Sequence, residues 1–339
     1  MAATIKDIAR RLNISTSTVS YALNGGPRPV PDDVRERVLA TARELEYRPN
    51  RVARSLVTGR TNAIGVVPPA VGENVFLSPF VRSAWNGLVN AAAPLGQDLL
   101  LYTGHDLNRP DEPGQELLDG RIDGVVFIAP RPDAAPVRFI LEQGFPFATV
   151  AGSEVTQGLS YTADNEGGVR LALEHLAALG HRRVAHVTGG LASADARMRL
   201  DAFRHHADRL CLDADPSLIV EGDFIIERGR EAAHRLLRMS NPPTAVFTAN
   251  DEIAYGLCLE ARELGVRVPE DLSVVGFDDT DLSFVFSPPL TTVRQPVQDM
   301  AKAALRAVIA LVQGEEKPKR HVFPTELVVR GSTAGVRNA

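Results

Sequence analysis

Hydroxyl side chains lie on one face of a short helical segment near the start of the sequence. Val19, Ala22 and Leu23 recur at helical spacing and predict the buried side of this segment. The side chains left facing outward are Thr16, Ser17, Ser20 and Tyr21. Small hydroxyls and a phenol can hydrogen-bond to base edges and phosphates, so this face has the chemistry of a nucleic-acid contact. Single hydroxyls on a helix surface are more often only caps or solvated groups, so local charge and flanking elements decide between the two interpretations.

A second set of polar residues follows apolar runs in the later part of the chain. Asn250 comes shortly after the apolar run 245–248, and Asp278 comes directly after 273–277. Ligands of open parallel sheets bind beyond the carboxyl ends of the strands, where the loops converge. A carboxylate and an amide at that edge predict a site for a small polar ligand, although an isolated loop aspartate is usually only solvated.

The sequence around the hydroxyl face predicts three short helices. Thr4 can cap the first helix with Asp7 as a shortened capping box, and its apolar residues are Ile5, Ile8, Ala9 and Leu12. Ser15 can cap the second helix after a brief turn, and two short helices joined in this way have helix-turn-helix geometry. A third helix after Pro31 completes a small core. Asn50 can cap a further helix of about two turns, which is marginal unless it packs against a partner.

Charge is distributed unevenly along the 339 residues. The first 60 residues contain eleven Lys and Arg against six Asp and Glu, a net charge of +5, whereas the remainder carries −10. A basic head on an acidic body is expected when one small segment meets a polyanion. Cys211 and Cys258 have neither disulfide nor metal-ligand spacing, and no stretch of 18 apolar residues occurs. These features predict a cytoplasmic protein rather than an exported or membrane-spanning one.

From residue 63 onward, short apolar strands alternate with helical stretches, which is typical of a parallel sheet covered on both faces. An apolar content of 44% with 23% charged residues excludes a wholly disordered or coiled-coil chain. The predicted strands are 63–67, 99–102, 124–128, 148–150, 184–188, 245–248 and 273–277. The predicted helices lie near 80–95, 165–179, 196–210, 227–238, 251–264 and 297–312. Two similar α/β halves are therefore expected.

Several segments of the basic head form an ordered series with few gaps: 4–9 (TIKDIA), 17–25 (STVSYALNG), 47–50 (YRPN) and 52–56 (VARSL). This series resembles the headpiece and hinge of the LacI/GalR family of bacterial transcription regulators. The resemblance implies that Thr16, Ser17 and Tyr21 read operator bases in the major groove. It also implies that Leu56 is wedged between base pairs in the minor groove and kinks the duplex. The implied DNA contacts are Thr4, Ser15, Thr16, Ser17, Thr18, Ser20, Tyr21, Asn24, Asn50, Arg51, Ala53, Arg54 and Leu56.

Tyr21 departs from a common pattern of the family. Many relatives carry Arg at this position, and a bidentate contact between Arg and guanine is unavailable to a tyrosine. The operator preference of an Arg-bearing relative therefore cannot be assumed for this chain.

The resemblance continues through the acidic body. It is carried by 121–126 (RIDGVV), 164–168 (DNEGG), 179–183 (LGHRR), 249–251 (AND), 274–279 (VVGFDD) and 289–296 (PLTTVRQP). The implied fold is an all-α helix-turn-helix headpiece followed by an α/β periplasmic-binding-protein-like core of two parallel-sheet subdomains. Three crossovers join the subdomains, and a small effector binds in the cleft between them.

The expected domains are the headpiece at 1–48, a hinge helix and linker at 49–60, and an effector-binding and dimerisation core at 61–339. Within the core, one subdomain comprises approximately 61–162 plus 293–322. The other comprises approximately 163–292 plus 323–339.

By the same resemblance, the effector contacts are Phe80, Val81, Arg199, Phe224, Asn250 and Asp278. The Asp278 carboxylate accepts from vicinal hydroxyls, Arg199 is a cationic donor, and Phe224 stacks on the ligand ring. The segment 78–81 reads Ser-Pro-Phe-Val where Asn-Pro-Phe-Phe is more usual. These residue types favour a sugar, although a purine or nucleoside stays open because purine-binding relatives use similar groups.

The expected function is that of a DNA-binding transcription regulator, more specifically a repressor, whose affinity for a pseudo-palindromic operator is controlled by the effector. A homodimer is favoured over a tetramer because no apolar heptads follow 328–333. The alternatives are a solute-binding protein without DNA function, which has no use for residues 1–60, and an enzyme with an acquired DNA-binding head.

Catalytic and metal sites are not predicted. No nucleophile elbow, phosphate-binding loop or dinucleotide fingerprint occurs. His205 and His206 are neighbours on a predicted helix and should point apart, and the pair His181 and His186 has no carboxylate or thiolate to complete a ligand set. We expect these histidines to be solvated, and we expect no cofactor.

Overall fold

The computed structural model describes residues 3–25, 28–49, 55, 58–69, 78–102, 114–152, 159–213, 215–315 and 320–336. The chain divides into two compact units, Met1–Thr61 and Asn62–Ala339. The first unit contains the headpiece and the second contains the α/β core. No helix in the described part of the chain has the length and apolar character that crossing a membrane requires.

The headpiece contains the three predicted helices α1 (Ile5–Leu12), α2 (Thr16–Asn24) and α3 (Asp32–Glu44). They enclose one small core, whose buried residues are Ile8, Ala9, Val19, Ala22, Val38 and Ala42. Asn13 closes α1 in the left-handed conformation with φ 55°, which asparagine tolerates better than most residues. This sharp turn allows Ser15 to begin α2 two residues later.

Twelve strands are described in the core. In chain order they are β1 (Ala63–Val67), β2 (Asp98–Leu101), β3 (Gly124–Ile128), β4 (Phe147–Val150), β5 (Ser160–Ala163), β6 (Val184–Val187), β7 (Ile219–Val220), β8 (Ala245–Thr248), β9 (Ser273–Asp278), β10 (Thr291–Arg294), β11 (His321–Phe323) and β12 (Glu326–Val328). They form two six-stranded sheets with the orders β11-β5-β4-β3-β1-β2 and β12-β10-β9-β8-β6-β7. Pairing is parallel throughout both sheets except for β12, which runs antiparallel to β10.

The α-helices of the core lie between these strands. They are α4 (Pro79–Ala92), α5 (Ala135–Glu142), α6 (Asn165–Ala178), α7 (Ala194–Arg209), α8 (Ile226–Leu237), α9 (Asp251–Glu263) and α10 (Val297–Val312). Short 3-10 turns occupy Ala93–Leu95, Gln115–Leu118, Pro216–Leu218 and Asp281–Phe284. Apolar side chains from both faces of each sheet pack against the helices in four separate clusters. This is the two-subdomain α/β architecture expected from the sequence.

The helices α8 and α9 cross closely because each carries a glycine at the contact. A Cβ atom on Gly256 would overlap the carbonyl oxygen of Ile226, and one on Gly229 would overlap that of Ile253. This contact fixes the segment before α8 next to the first turn of α9, where two predicted effector residues lie.

All seven predicted strands are present within one residue at each end, whereas β5, β7, β10, β11 and β12 were not predicted. The sequences of β5 (SYTA) and β10 (TTVR) contain Ser and Thr rather than an apolar run, and β7, β11 and β12 have only two or three residues. The helix α5 was also missed.

The strand pairing shows where the chain leaves each sheet of the core, close to the approximate boundaries that the sequence predicts. Ala163 and Phe323 still pair within the first sheet, and Arg294 still pairs within the second. The chain therefore crosses between the sheets after these three residues, one or two residues later than the predicted boundaries of 162, 322 and 292. Ladder hydrogen bonds, rather than the apolar pattern, set the point at which each strand ends.

Candidate functional site

The first turn of α1 is capped by Thr4 and Asp7. The Asp7 carboxylate accepts hydrogen bonds from the Thr4 backbone N–H at 3.0 Å and from the Thr4 hydroxyl at 2.7 Å. These bonds, with the side-chain bond first, hold the pKa of Asp7 below its usual value. Thr4 is exposed at the helix N-terminus, where the helix dipole favours an anionic group. The predicted contact residue is therefore also the residue that fixes the start of the helix.

Ser15 caps α2 in the predicted way. Its hydroxyl accepts the backbone N–H of Thr18 at 3.0 Å and lies 2.8 Å from the Thr18 hydroxyl. Both hydroxyls are therefore engaged in orienting α2, and the capping bond leaves the exposed N-terminal end of the helix free to approach another surface.

The outward face of α2 carries five more of the predicted DNA contacts. Thr16, Ser17 and Asn24 are exposed, and Ser20 and Tyr21 are partly exposed. Their spacing along the helix places Ser17, Tyr21 and Asn24 opposite the headpiece core, with Thr16 and Ser20 on one flank of the same exposed surface. The structure therefore collects small hydroxyls, an amide and a phenol on one surface of the basic headpiece.

The predicted hinge contacts Asn50, Arg51, Ala53, Arg54 and Leu56 lie outside the described residues. Their assignment to DNA stays a prediction that the resemblance supplies.

In the core, a chain of hydrogen bonds surrounds Arg199 at the carboxyl edge of the second sheet. The Asp195 carboxylate accepts the amide of Asn165 at 2.8 Å, and the Asn165 oxygen accepts Nε of Arg199 at 2.8 Å. The guanidinium also donates to the carbonyl oxygen of Ala249, directly after β8. The other oxygen of Asp195 accepts the backbone N–H of Gly152, which follows β4 of the first sheet, at 2.9 Å. One buried carboxylate thus links the two subdomains of the core.

Asp278 lies at the end of this series of hydrogen-bonded side chains, next to Arg199. Its Oδ1 atom is 3.8 Å from Nη1 of Arg199 and accepts a hydrogen bond from the Gln295 amide at 2.5 Å. The Arg199 guanidinium carbon stands 3.7 Å from the ring centroid of Phe277, so the cation also stacks on an aromatic face. The sequence predicted both Arg199 and Asp278, and the structure brings the two together.

Burial shifts the acid–base behaviour of these groups. It raises the pKa of Asp278 to about 6, although Arg199 and the hydrogen bond from Gln295 oppose the shift. It also lowers the pKa of Arg199, which Asp278 opposes. The pKa of Asp251 rises to about 8 through burial and the charge of Asp278, and that of Glu252 rises to about 8 for the same reasons. Asp251 and Glu252 therefore hold protons near neutral pH, whereas Asp278 is mainly ionised and titrates just below neutral pH.

Asn250 is buried, and its side chain is occupied by protein groups. Its oxygen accepts the backbone N–H of Ile253 at 2.9 Å and so caps α9. Its amide donates to the Phe224 carbonyl oxygen at 3.1 Å and to Glu252 at 2.8 Å. Because both N–H groups are used, Asn250 positions its neighbours and cannot donate to a ligand without losing one of these bonds.

Phe224 lies beside Gly189, at the carboxyl end of β6. A Cβ atom on Gly189 would overlap the Phe224 ring, so the glycine allows the ring to lie on the backbone. The Phe224 backbone has a φ of 56°, a left-handed conformation that is costly for an aromatic residue. The surrounding contacts hold this half-buried ring at the same edge as Asn250.

Phe80 and Val81 belong to the first turns of α4 in the first subdomain. Phe80 is partly exposed and packs on the first core cluster, whereas Val81 is 2% exposed. The next residue, Arg82, lies 3.8 Å from Asp281 of the second subdomain. This ion pair shows that the first turns of α4 face the loop after β9. Asp278 is the last residue of β9, directly before this loop. Phe80 is open to this edge, but the burial of Val81 makes it mainly a packing residue.

Comparison with known proteins gives matches over both units. Residues 4–50 match the family described as bacterial regulatory proteins, lacI family, and residues 173–333 match the periplasmic binding protein-like domain. The HTH-type transcriptional regulator DegA of Bacillus subtilis (strain 168) is 33% identical over 98% of this chain and 99% of its own length. The chain belongs to the lacI family of bacterial regulatory proteins.

Solved structures agree with this assignment. A Lac repressor dimer bound to operator and the anti-inducer ONPF has a TM-score of 0.86 at 29% identity, covering 98% of this chain and 100% of that one. A complex of the transcriptional regulator CelR with cellobiose has a TM-score of 0.73 at 29% identity, covering 97% and 99%. The predicted family and fold class are confirmed, and this lacI-family protein is a DNA-binding transcription regulator. The named relatives are regulators rather than enzymes.

Four polar residues of the regulator's core cluster were not predicted as site residues: Asn165, Asp195, Asp251 and Gln295. Asn165, Asp251 and Gln295 lie in segments that the resemblance singled out, so their positions carried a signal. Asp251 accepts hydrogen bonds from the Thr292 hydroxyl at 2.6 Å and the Thr280 backbone N–H at 2.8 Å, and so ties α9 to β10. Asp195 carried no signal because its partner Gly152 is distant in sequence.

The expected solvation of the histidines is wrong for three of them. His181, His186 and His206 are 3%, 0% and 2% exposed. His181 hydrogen-bonds to Thr244 and Ser273, and His186 stacks between Phe203 and Phe247. The sequence pattern failed here because an imidazole ring can pack in a core like any aromatic ring, as His186 does between two phenylalanines.

Proposed function

We propose that this regulator is a repressor whose operator affinity is controlled by a small, hydroxyl-rich effector, and that a sugar is the favoured class. The observation that carries the proposal is the buried pair Arg199 and Asp278 at the carboxyl edge of the second sheet. Small ligands of parallel sheets bind at this edge. A carboxylate held beside a guanidinium offers an acceptor and a donor a few ångströms apart, which suits two neighbouring hydroxyls.

The aromatic side chains support a ring-shaped ligand. Phe224 presents a half-buried ring beside Gly189, and Phe80 is partly exposed at the start of α4. The apolar face of a sugar ring packs on such side chains while its hydroxyls hydrogen-bond to the charged pair. The cellobiose reported for the CelR complex belongs to this ligand class.

A purine base or nucleoside is the second candidate effector. Phe224 favours it because a planar base stacks on an aromatic ring, and Asp278 can accept from the N–H groups of a base as well as from hydroxyls. The raised pKa of Asp278 adds that this carboxyl can also donate when it is protonated.

We also propose that the regulator binds a pseudo-palindromic operator as a homodimer. A single headpiece has one recognition helix, and two half-sites require two copies related by a twofold axis. The large apolar residues Phe284 and Val285 support self-association because they are 63% and 65% exposed on the core. Val285 also lines a cavity of about 420 Å³, together with Tyr255, Cys258 and Phe286 among others.

The proposed coupling runs through contacts that join the two core subdomains. Asp195 holds the Gly152 backbone of the first subdomain and reaches Arg199 through Asn165. A ligand that binds Arg199 changes this series of hydrogen bonds. It therefore favours one relative orientation of the two core subdomains. Such coupling is typically about 1–3 kcal/mol, which changes affinity by roughly five- to 150-fold.

The test is a calorimetric titration of the full-length protein against a panel of sugars and nucleosides. Each ligand that binds is then added to a complex of the protein with an operator selected in vitro from random duplexes. We expect one sugar to bind and to change operator affinity by at least about fivefold. Binding by nucleosides alone would replace the sugar with the second candidate. No ligand in either class, together with an operator affinity that never changes, would contradict the proposal.

A further inference from the structure

Three side chains with metal-binding atoms meet on the surface of the second subdomain, away from the Arg199–Asp278 pair. Glu166 lies in the first turn of α6, and His205 and His206 lie near the end of α7. One donor atom from each residue lies within 4.8 Å of the other two. The packing of α6 against α7, which the apolar pattern alone did not reveal, brings the carboxylate to the histidine pair.

His206 is the unusual member of this cluster. The residue is 2% exposed, yet its Nε2 atom has no hydrogen-bond partner among the described residues. The nearest acid, Oε1 of Glu166, is 3.7 Å away, beyond hydrogen-bonding distance. An unpaired buried polar atom destabilises the fold, so such an atom requires an explanation.

The two histidine rings are arranged so that both can reach one point. Although they are sequence neighbours, their ring centroids are 4.9 Å apart and the ring planes are inclined by 72°. The expectation that the rings point apart is therefore wrong in this helix. His205 is exposed and the Glu166 side chain is 71% exposed, so both can change rotamer at little cost while the buried His206 stays fixed.

We propose that Glu166, His205 and His206 bind a divalent transition-metal ion of the zinc class. Two imidazole nitrogens and one carboxylate oxygen are typical ligands of this ion, with water completing the coordination. Ligand atoms about 2.0–2.2 Å from such an ion lie roughly 3.3 Å apart, so the donor atoms must approach one another by up to about 1.5 Å. Rotation of the two exposed side chains can provide this movement. Nε2 of His206 then gains the partner that it lacks.

Positive charges around the cluster of Glu166, His205 and His206 lower its affinity for a metal ion. Arg170 on α6 and Arg209 on α7 face His206, and both oppose a cation. The Arg170 side chain is itself paired with Glu174 at 3.0 Å, which reduces its effect. The structure therefore assigns a site of moderate affinity, which depends on all three ligands.

The metal would connect the start of α6, directly after the first crossover, to α7, the helix that carries Arg199. Because the bound ion requires the native packing of α6 against α7, it should stabilise the folded protein. Thermal stability is therefore a readout that is independent of DNA and effector binding.

The experiment uses full-length protein stripped of metal with a chelator. Co²⁺ is titrated while its visible absorption is followed, Zn²⁺ is then added in competition, and thermal unfolding is measured with and without Zn²⁺. The test variants are His205→Gln and Glu166→Gln, which change exposed side chains and so leave the core intact. The controls are His234→Gln, which changes an exposed histidine 3.4 Å from Glu260, and Cys211→Ser, which removes an exposed thiol.

We expect one equivalent of Co²⁺ to give a spectrum typical of nitrogen and oxygen ligands, and Zn²⁺ to displace it and raise the unfolding temperature. Each test variant should weaken binding at least about tenfold, and neither control should change it. The proposal is overturned if no Co²⁺ spectrum appears. It is equally overturned if both test variants bind metal as tightly as the wild type or if either control abolishes binding.

Discussion

The Arg199 guanidinium lies 3.8 Å from the Asp278 carboxylate, and each side chain is 5% exposed. Removing either partner leaves the other buried without its countercharge, which typically costs about 3–5 kcal/mol for a buried pair. Arg199 also holds Asn165, Ala249 and the Phe277 ring, so its loss disturbs several elements at once. Asp278 is therefore the better position at which to separate ligand binding from folding.

Asp278→Asn should reduce effector affinity about 10- to 100-fold, because a carboxylate hydrogen bond to the ligand becomes a weaker amide contact. The variant keeps the size of the side chain and an oxygen that can accept from Gln295. Calorimetry with the effector found in the panel measures the change. Operator binding without effector should stay within about twofold.

The matched control is Asp201→Asn, because the Asp201 side chain is 76% exposed on α7. It should bind the effector as the wild type does. Equal effector affinity in Asp278→Asn and wild type would show that this carboxylate does not touch the ligand.

The buried Glu252 predicts a pH-dependent change in stability. Its pKa rises from 4.5 to about 8 in the folded protein, mainly through burial. A raised pKa means that the folded state holds the proton more tightly than the unfolded state, so Glu252 lowers stability progressively as the pH rises from about 4.5 to 8. Glu252→Gln should therefore gain stability over the wild type with rising pH, by on the order of 3 kcal/mol between pH 5 and 8.

Urea unfolding of both proteins at a series of pH values measures this difference. Glu231→Gln is the control, since the Glu231 side chain is 63% exposed and its variant should follow the wild type at every pH. A difference between Glu252→Gln and wild type that is the same at pH 5 and 8 would mean that Glu252 is ionised in the fold at both values.

In the headpiece, residues that contact phosphates should differ from residues that contact bases in how strongly they affect the salt dependence of DNA affinity. Lys6 is an exposed cation on α1, so Lys6→Ala should weaken all DNA binding and reduce the salt slope by about one unit. Tyr21→Ala removes a side chain from the outward face of α2 and should lower operator affinity by about 1–3 kcal/mol while leaving the salt slope intact. Fluorescence anisotropy on the selected operator and on a scrambled duplex distinguishes them.

Thermal unfolding of the Tyr21→Ala protein checks that the headpiece is still folded. If this variant loses the same affinity for the operator and the scrambled duplex, Tyr21 does not contribute to sequence recognition.

The exposed pair Phe284 and Val285 predicts the site of self-association. Phe284→Asp places a charge on this surface and should shift the protein from dimer to monomer, with a loss of operator affinity because only one half-site is bound at a time. Analytical ultracentrifugation gives the mass, and calorimetry should show effector binding unchanged. The control is Leu141→Asp, which should remain dimeric. Leu141 lies on α5 of the other subdomain and is 43% exposed. A dimeric Phe284→Asp protein would place the interface elsewhere.

The sequence predicted the elements that rest on local patterns. The caps Thr4 and Ser15 and the apolar runs of β1, β3 and β8 depend on neighbouring residues, and they agree with the structure. The short edge strands β11 and β12 owe their existence to partners far along the chain, so no local pattern marks them.

The candidate site follows the same division. Asp278 and Asn250 were predicted because each follows an apolar strand, and Arg199 was predicted only through the resemblance. The link from Asp195 to Gly152 spans 43 residues and exists only after the two subdomains have folded. The bond from Asn250 to the Phe224 carbonyl oxygen, and the burial of His206, likewise depend on tertiary packing that composition does not encode.

The measurement that tests the central proposition most directly is anisotropy of the selected operator titrated with full-length protein, at increasing salt, with and without the effector. We expect tight binding to the operator, much weaker binding to a scrambled duplex, a steep loss of affinity with salt, and a change of at least about fivefold when the effector is present. Equal affinity for both duplexes, or an operator affinity that no bound effector alters, would contradict a headpiece controlled by the ligand site of the core.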